Sequence, residues 1–295
     1  MSTQPQHLRA YLALLAGILC LGFSAIFVRA AEAPGVVSSV YRMAIAGVVF
    51  AFPFFRQNRN GNRLPRRGVA LALLSGLFFG GDLFFWSEGI MISGATNPTL
   101  MANTAPIWVG LGALVVFREK LSGRFWLGLG IALAGVAVVL GVDSLQQVSL
   151  GLGTLYGLIA GMFYGGFFLL AQRGRALLRS ISFFWISVLG STALLLVVGL
   201  LQGVSFSGYP LESYLYFLAG GLVSQVAGWF AINYAQGHLP ATVISPTLLG
   251  QPVITAFAAV VMLGESLGTW QSLGGAAILG GIYLVHRARL PDATP

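Results

Sequence analysis

The sequence predicts an all-α integral membrane protein, ten transmembrane helices arranged as two inverted five-helix repeats. Three observations carry that prediction. Hydrophobic residues make up 57% of the chain and charged residues 8%, against about 25% charge in a soluble domain, so water-facing surface cannot cover it. Apolar runs long enough to cross about 30 Å of hydrocarbon recur from end to end. Finally, the segment from Phe78 to Gly141 falls without a gap on a second copy of its own pattern, Ser224 to Arg287. In that match Phe84 meets Phe230, Ala95 meets Ala241, Pro106 meets Pro252, Val115 meets Val261 and Glu119 meets Glu265. Leu121 meets Leu267, Gly128 meets Gly274, Leu133 meets Leu279 and Gly135 meets Gly281.

The runs are continuous rather than alternating, which selects helices over barrel strands, and a helix satisfies its backbone groups within its own segment. The first, 9–29, has the position of a signal peptide but the length of a full span, and no A-x-A cleavage site follows a short apolar region. It holds Cys20, the single cysteine, so neither an intrachain disulfide nor a zinc site of cysteine type can form. Cys20 is expected to pack as a small apolar residue. The second run, 35–55, carries Arg42, and the third, 68–91, carries Asp82, Trp86 and the spaced pair Gly76 and Gly80. Pro106 stands near the middle of the fourth, 96–117, and glycines stud the fifth, 123–142.

The second half repeats the plan at 150–172, 180–202, 213–235, 241–263 and 268–286. Its sixth run spaces Gly157, Gly161 and Gly165 four apart, a pattern that lets helices approach closely and reads as packing. Gly151-Leu-Gly153 is no dinucleotide fingerprint, since no strand precedes it. Pro252 occupies the middle of the ninth run as Pro106 does that of the fourth. Each removes an N–H and clashes with the preceding turn, which is expected to free the carbonyls of Ala102 and Leu248. Such carbonyls are tolerated only against protein or a wet cavity. The two domains are residues 1–146 and 147–295.

The net charge of +8 bears on topology rather than on nucleic acid. With the N-terminus inside, the inner segments hold Arg9, five arginines from Arg56 to Arg67, Arg118, Lys120 and Arg124. They also hold Arg173, Arg175, Arg179, Arg287 and Arg289, whereas the outer loops keep only Arg29. This asymmetry predicts both termini on the cytoplasmic side of a multi-pass membrane protein, and a bacterial cytoplasmic (inner) membrane is the expected location. Five helices per repeat is an odd number, so the copies enter the bilayer from opposite sides. Two such halves can exchange conformations about a central site, as carriers of alternating access do.

Charged groups within a membrane are candidates for function. Arg42 and Asp82 lie at comparable depths and can pair, and Asp82, removed from water, can alternatively hold a proton. Trp86 follows Asp82 by one turn; Gln225 and Trp229 repeat that spacing, and Asn233 extends the row. Met101 and Asn103 flank Pro106, Thr247 and Gln251 flank Pro252, and Tyr164 and Trp185 add aromatic surface. Glu119 and Glu265 fall at helix junctions, suited to capping or gating. Glu88, His238 and His286 are expected to be solvated at helix ends.

The pair Val116-Phe-Arg-Glu-Lys-Leu121 and Met262-Leu-Gly-Glu-Ser-Leu267, each followed by a glycine-studded helix, resembles the EamA family of the drug/metabolite transporter superfamily. Tyr41-Arg42-Met43-Ala44 is similar to that family's second helix, and the likeness runs over nearly the whole chain. Cys20-Leu21-Gly22 departs from it, where many members resemble Trp-Gly. The resemblance implies a ten-helix exporter with cytoplasmic termini, most similar to the YddG-type exporters of aromatic amino acids.

The expected activity is export of small amphipathic metabolites, aromatic and other apolar amino acids foremost. A broad-specificity drug or nucleoside exporter, proton-coupled or not, is the alternative. Substrate contacts are expected from Arg42, Asp82, Trp86, Met101, Asn103, Tyr164, Trp185, Gln225, Trp229 and Gln251, with Pro106, Pro252, Glu119 and Glu265 at kinks and gates. The carboxylates and three histidines are scattered, without metal or acid/base spacing, so neither an enzyme nor a cofactor is expected. The partners are the small-molecule cargo and the bilayer; the pattern leaves the oligomeric state open, and a monomer suffices. Reporter tags after Lys120 and Ser266 are expected on opposite faces of the membrane; finding both on one face rules out the inverted duplication.

Overall fold

The computed structural model describes residues 4–59, 63–93, 96–140, 151–263 and 268–289. Every regular element among them is helical. In the first half these are α1 (Gln4–Gly22), α2 (Ser24–Ala30), α3 (Gly35–Gln57), α4 (Arg66–Ser93), α5 (Thr96–Ala102), α6 (Ala105–Gly112), a π-helical turn Ala113–Phe117 and α7 (Gly123–Leu140). The second half has α8 (Leu152–Arg175), α9 (Ser180–Leu201), α10 (Leu211–Ala219), a π-helical stretch Gly220–Trp229 and α11 (Phe230–Gln236). It ends with α12 (Ala241–Thr247), a 3-10 turn Leu248–Gly250, α13 (Gln251–Leu263) and α14 (Thr269–Arg289).

Eight helical spans among the described residues are long and apolar enough to cross a membrane. They follow the first eight expected runs, from His7–Val28 to Leu211–Gln236. The ninth run contains a shorter apolar helix, Ala241–Phe257. The tenth is the 21-residue α14, with His286, Arg287 and Arg289 in its last turn. Large apolar side chains such as Leu201, Val115 and Val48 stand exposed at 83%, 80% and 76%, the surface that lipid would cover. Proline opens several helices: Pro34 precedes α3, Pro210 precedes α10 and Pro240 precedes α12. A helix start has orphan N–H groups, so the donor that proline lacks is not missed there.

The interruptions differ from the expected mid-helix kinks. The first run breaks at Phe23. The fourth breaks at Asn103 and Thr104, before Pro106 rather than at it, and Pro106 becomes the second residue of α6. The ninth tightens into its 3-10 turn at Leu248–Gly250, and Pro252 is the second residue of α13. The two prolines thus hold the same place after the same break. The carbonyl expected to be free at Leu248 accepts the Gln251 N–H. That of Ala102 lies against Gly161, 3.2 Å from where a Cβ would stand.

Glycine sets how closely the helices approach. On α7, Gly128 faces the Gly281 carbonyl and Gly135 faces the Gly274 carbonyl, at 2.8 and 2.6 Å from a Cβ position. Helices α7 and α14 therefore cross antiparallel, and because Gly128 matches Gly274 in sequence and Gly135 matches Gly281, each contact is the other's copy. Around this crossing Phe125, Leu129, Ala132, Val136, Ile278 and Val285 form a core of their own. The larger core joins α1, α3, α4, α8, α9 and α11. There Ser75 on α4 donates to the Phe167 carbonyl on α8 at 3.4 Å, and Gly76 rests on the Ser187 carbonyl of α9.

The chain ends that carry Arg9, Arg56, Arg118, Arg173 and Arg289 gather at one end of the bundle. Tyr11 meets His286 with ring centroids 5.6 Å apart, Arg173 Nη2 donates to Val116 O at 2.7 Å, and Gln57 donates to Ser182 at 2.7 Å. At the opposite end Tyr41 donates to Phe206 O at 2.6 Å and Gln202 to Glu88 at 2.8 Å. Glu265 lies outside the described residues, as does the 264–267 part of its motif.

A Cβ on Gly76 would sit 2.0 Å from the Ser187 carbonyl oxygen, whereas one on Gly130 meets nothing within 4 Å. Gly76→Ala is expected to destabilise by about 1–3 kcal/mol through overpacking. Gly130→Ala is expected to be neutral or stabilising by up to about 1 kcal/mol through helix propensity. Thermal unfolding in detergent distinguishes them, and equal midpoints would refute this close packing.

Candidate functional site

The stretch Gly220–Trp229 winds as a π-helix, a form that occurs mainly as short bulges and often at functional sites. Glycines allow it to be packed: Gly220 against Arg42, Gly221 against Ile45 and Gly228 against Cys20. With α11 it presents Gln225, Trp229, Asn233 and Gln236 to a narrow cleft with a cavity volume of about 20 Å³. Phe79, Phe167, Phe183 and Phe184 form its aromatic walls, and Ser187, Val188 and Ser191 of α9 complete it. Trp229 meets Phe79 with ring centroids 4.6 Å apart in an edge-on arrangement, which is the favoured geometry for such pairs. Every lining side chain is uncharged.

Buried polar atoms without a hydrogen-bond partner concentrate on this same span: Ser224 Oγ, Gln225 Oε1, Asn233 Oδ1 and both side-chain polar atoms of Gln236. Arg175 supports the row from behind. Its Nε donates to Asn233 O at 3.0 Å and its Nη2 to Ser180 Oγ at 2.6 Å, while Asn233 Nδ2 donates to Ser180 O at 2.9 Å. The Asn233 amide is thereby oriented, with its oxygen left over.

Next to the cleft, Tyr164 lies 5.9 Å from Trp229 between ring centroids and stands near Gln251 and Asp82. Asp82 is 8% exposed and Arg42 is 6% exposed. The pairing expected between them does not form, since no ion pair joins them and they have different neighbours. Arg42 lies along Gly220 with its Nε unpartnered, and Asp82 faces Tyr164 of α8. The ion pair found among the described residues is Arg289 with Glu119, elsewhere in the bundle.

That ion pair closes the basic end. Glu119 Oε2 accepts from Arg289 Nη2 at 2.5 Å and from Thr242 Oγ1 at 3.0 Å, and Glu119 Oε1 from Gln172 Nε2 at 3.5 Å. Gln172 Oε1 in turn accepts the Ala241 N–H at 2.6 Å. The ends of the fourth, sixth and tenth runs and the start of the ninth are thus tied through one carboxylate. Arg118, left-handed at φ 54°, turns the chain into that position. Glu119 is a cross-link between helices rather than a helix cap.

The other expected residues divide by location. Trp86 Nε1 donates to Thr99 Oγ1 at 3.0 Å, joining α4 to α5, and Asn103 Nδ2 donates to Thr99 O at 2.8 Å within its own turn. Met101 contributes its carbonyl, which accepts Thr104 N–H and lies against Gly161. Trp185 is turned away from the cleft, donating to Gly47 O at 2.9 Å and stacking on Phe54 at 4.1 Å. The structure therefore brings together Gln225, Trp229, Tyr164, Gln251 and Asp82, and leaves Trp185 in a helix interface.

Comparison with known proteins gives this arrangement a context. The model of the EamA-like transporter family matches twice, over residues 8–141 and over residues 151–287. This chain belongs to the EamA-like transporter family. It is similar to the uncharacterized transporter YetK of Bacillus subtilis (strain 168), at 22% identity over 98% of this chain and 91% of that protein. It is also similar to the uncharacterized transporter sll1319 of Synechocystis sp., at 27% identity over 72% of this chain and 66% of that one. A solved structure, described as the crystal structure of a protein, superposes with a TM-score of 0.77 at 18% identity, covering 96% of this chain and 98% of its own. The fold is shared with it. The protein is a multi-pass membrane transporter.

Sequence reasoning missed several residues that line the cleft of this EamA-like protein. Gln236 continues the row of Gln225, Trp229 and Asn233 at helical spacing, a signal that was available. Phe79, Phe167, Phe183, Phe184, Ser187 and Ser191 carry no such signal, being ordinary membrane-helix residues until three helices converge. His286, expected to be solvated, is half-buried with Nε2 2.8 Å from Thr247 Oγ1. For Glu119 and Arg289, single substitutions Glu119→Gln and Arg289→Met are expected to lower the unfolding midpoint. The double variant is expected to lose less than their sum, by a coupling of about 0.5–3 kcal/mol. Additive losses would show that the contact contributes no stability.

Proposed function

We propose that this transporter exports small amphipathic metabolites, amino acids with aromatic or other apolar side chains foremost, across the bacterial cytoplasmic membrane by alternating access. On this reading residues 1–146 and 147–295 are five-helix repeats of opposite orientation, ten helices in all, with both termini and the basic end in the cytoplasm. The crossed glycine contacts of α7 and α14 support the inversion, because copies of one helix meet antiparallel. The concentration of arginine at one end supports the orientation. The breaks before Pro106 and Pro252 are where the fourth and ninth spans would flex, and the Glu119 cross-link would hold the cytoplasmic side shut.

One observation carries the choice of cargo: Arg42 and Asp82 are both buried within spans, and neither takes part in an ion pair among the described residues. A charge at such depth costs about 2.5–3.5 kcal/mol on insertion scales. A zwitterion offsets both, its carboxylate at Arg42 and its ammonium at Asp82, while an apolar side chain suits the aromatic cleft beside them. Glu265, the sequence counterpart of Glu119, is assigned the matching role at the outer face.

Liposomes containing the protein test this with phenylalanine against two analogues. Phenylalanine is expected to be preferred over phenethylamine, which lacks the carboxylate, and over phenylpropionate, which lacks the ammonium, by about tenfold each, or 1.4 kcal/mol. Arg42→Met is expected to abolish the first preference and Asp82→Asn the second. Equal flux of all three compounds through the unaltered protein would refute the assignment.

A further inference from the structure

Two inverted halves of identical sequence would make the inward-open and outward-open states equal in energy, because one would be the other turned over. A preference for one state must therefore come from residues in which the halves differ. The cross-link at the basic end is such a place. Glu119 of the first half accepts from Arg289 and Thr242 of the second. The side chains of Glu119 and Arg289 are 15% and 19% exposed, so water and salt screen this pair incompletely. Moved by the 146 residues that separate Phe84 from Phe230, Glu119 falls on Glu265 and Thr242 corresponds to Thr96. The carboxylate and the hydroxyl are thus both repeated. Arg289 is not, for its counterpart is Asp143, just past the matched segment. The sequence sets a second carboxylate where a copy of the ion pair needs a cation. Another tie at the basic end, Thr247 Oγ1 to His286 Nε2 at 2.8 Å, translates into Met101 and Leu140, which cannot form it. The hydrogen bonds at the opposite end, Tyr41 to Phe206 O and Gln202 to Glu88, join neither the fourth span nor the ninth, the two that break before a proline.

We propose that Arg289 is the latch of the cytoplasmic gate and that, having no copy in the first half, it sets the carrier's resting state with the cytoplasmic side closed and the outer side open. The inference rests on the reading of alternating access between inverted repeats, and it holds for any cargo. Opening towards the cytoplasm parts Glu119 from a cation in partly dry surroundings, where attraction between charges is stronger than in water. The sequence supplies no matching pair to be parted on the other side. The same duplication that makes the two states possible is therefore unbalanced at a single position, and the imbalance has a direction.

The test follows one cysteine in the full-length chain, Gln251→Cys in a Cys20→Ala background, at the break of the ninth span beside Tyr164. A membrane-impermeant maleimide is applied from outside to intact cells and from the cytoplasmic side to inverted vesicles, with no cargo added. With Arg289 in place, modification is expected to be faster from outside. Arg289→Met is expected to speed cytoplasmic modification about fivefold, the low end of coupling between two sites, without raising the external rate. High salt is expected to act in the same direction on the protein that keeps Arg289, so the result does not hang on a variant at the latch. Glu119→Arg combined with Arg289→Glu exchanges the charges and is expected to restore the slow cytoplasmic rate, which lost packing alone would not do. Three results overturn the latch: faster cytoplasmic modification with Arg289 in place, rates that Arg289→Met leaves unchanged, or a rise from both faces, which is general loosening. Alternating access stands in each of these while the cysteine answers from both faces. Modification from one face alone in every variant overturns both.

Discussion

Hydrocarbon offers no hydrogen bonds, and the organisation of this protein follows from that absence. Each span is helical because a helix meets its backbone groups within itself. Each deviation from helix needs a partner in protein, and the deviations here have one. The Leu248 carbonyl of the 3-10 turn accepts from Gln251, and Thr104 N–H at the other break returns to Met101 O. Polar side chains obey the same demand over most of the bundle, where serines and tryptophans donate to carbonyls of neighbouring helices. Most of the exceptions among the described residues collect on one span, between Ser224 and Gln236, with Arg42 Nε and Ser245 Oγ outside it. That concentration singles out the cleft more clearly than its size does.

Close packing is the second consequence. Apolar side chains gain little by leaving lipid for one another, so helices associate where small residues let backbones touch. Gly76 on Ser187, Gly157 on Pro98 and Gly128 on Gly281 are such contacts. Gly76 on Ser187 holds α4 against α9, two walls of the cleft, while the π-helical stretch sets its own glycines on α1 and α3, Gly228 at Cys20 and Gly221 at Ile45. The extra width of that stretch turns its amides inward, and Arg175 anchors the far end of the row.

The two kinds of polar group divide the functional assignment. Arg42 and Asp82 are buried without an ion-pair partner among the described residues, and on the proposed reading they await the two ends of a zwitterion. Glu119 has three partners at the basic end, where it cross-links helices, and on the proposed reading it serves closure. A sequence reading that weighs all intramembrane carboxylates alike cannot separate these roles, since Asp82 and Glu119 differ only in what surrounds them.

Membrane residence, the span positions, the duplication and the gathering of positive charge follow from the sequence alone, because composition, run length and the 146-residue offset between Phe84 and Phe230 are properties of the chain in one dimension. The row of Gln225, Trp229 and Asn233 was legible for the same reason, a helix repeating itself every few residues. Which helix faces that row, where the fourth and ninth spans break, and that Trp185 packs against Gly47 while Phe167 lines the cleft were decided only in three dimensions. Those outcomes depend on contacts between residues far apart in the chain, and a phenylalanine in an apolar run looks the same whether lipid or a binding cleft lies beyond it.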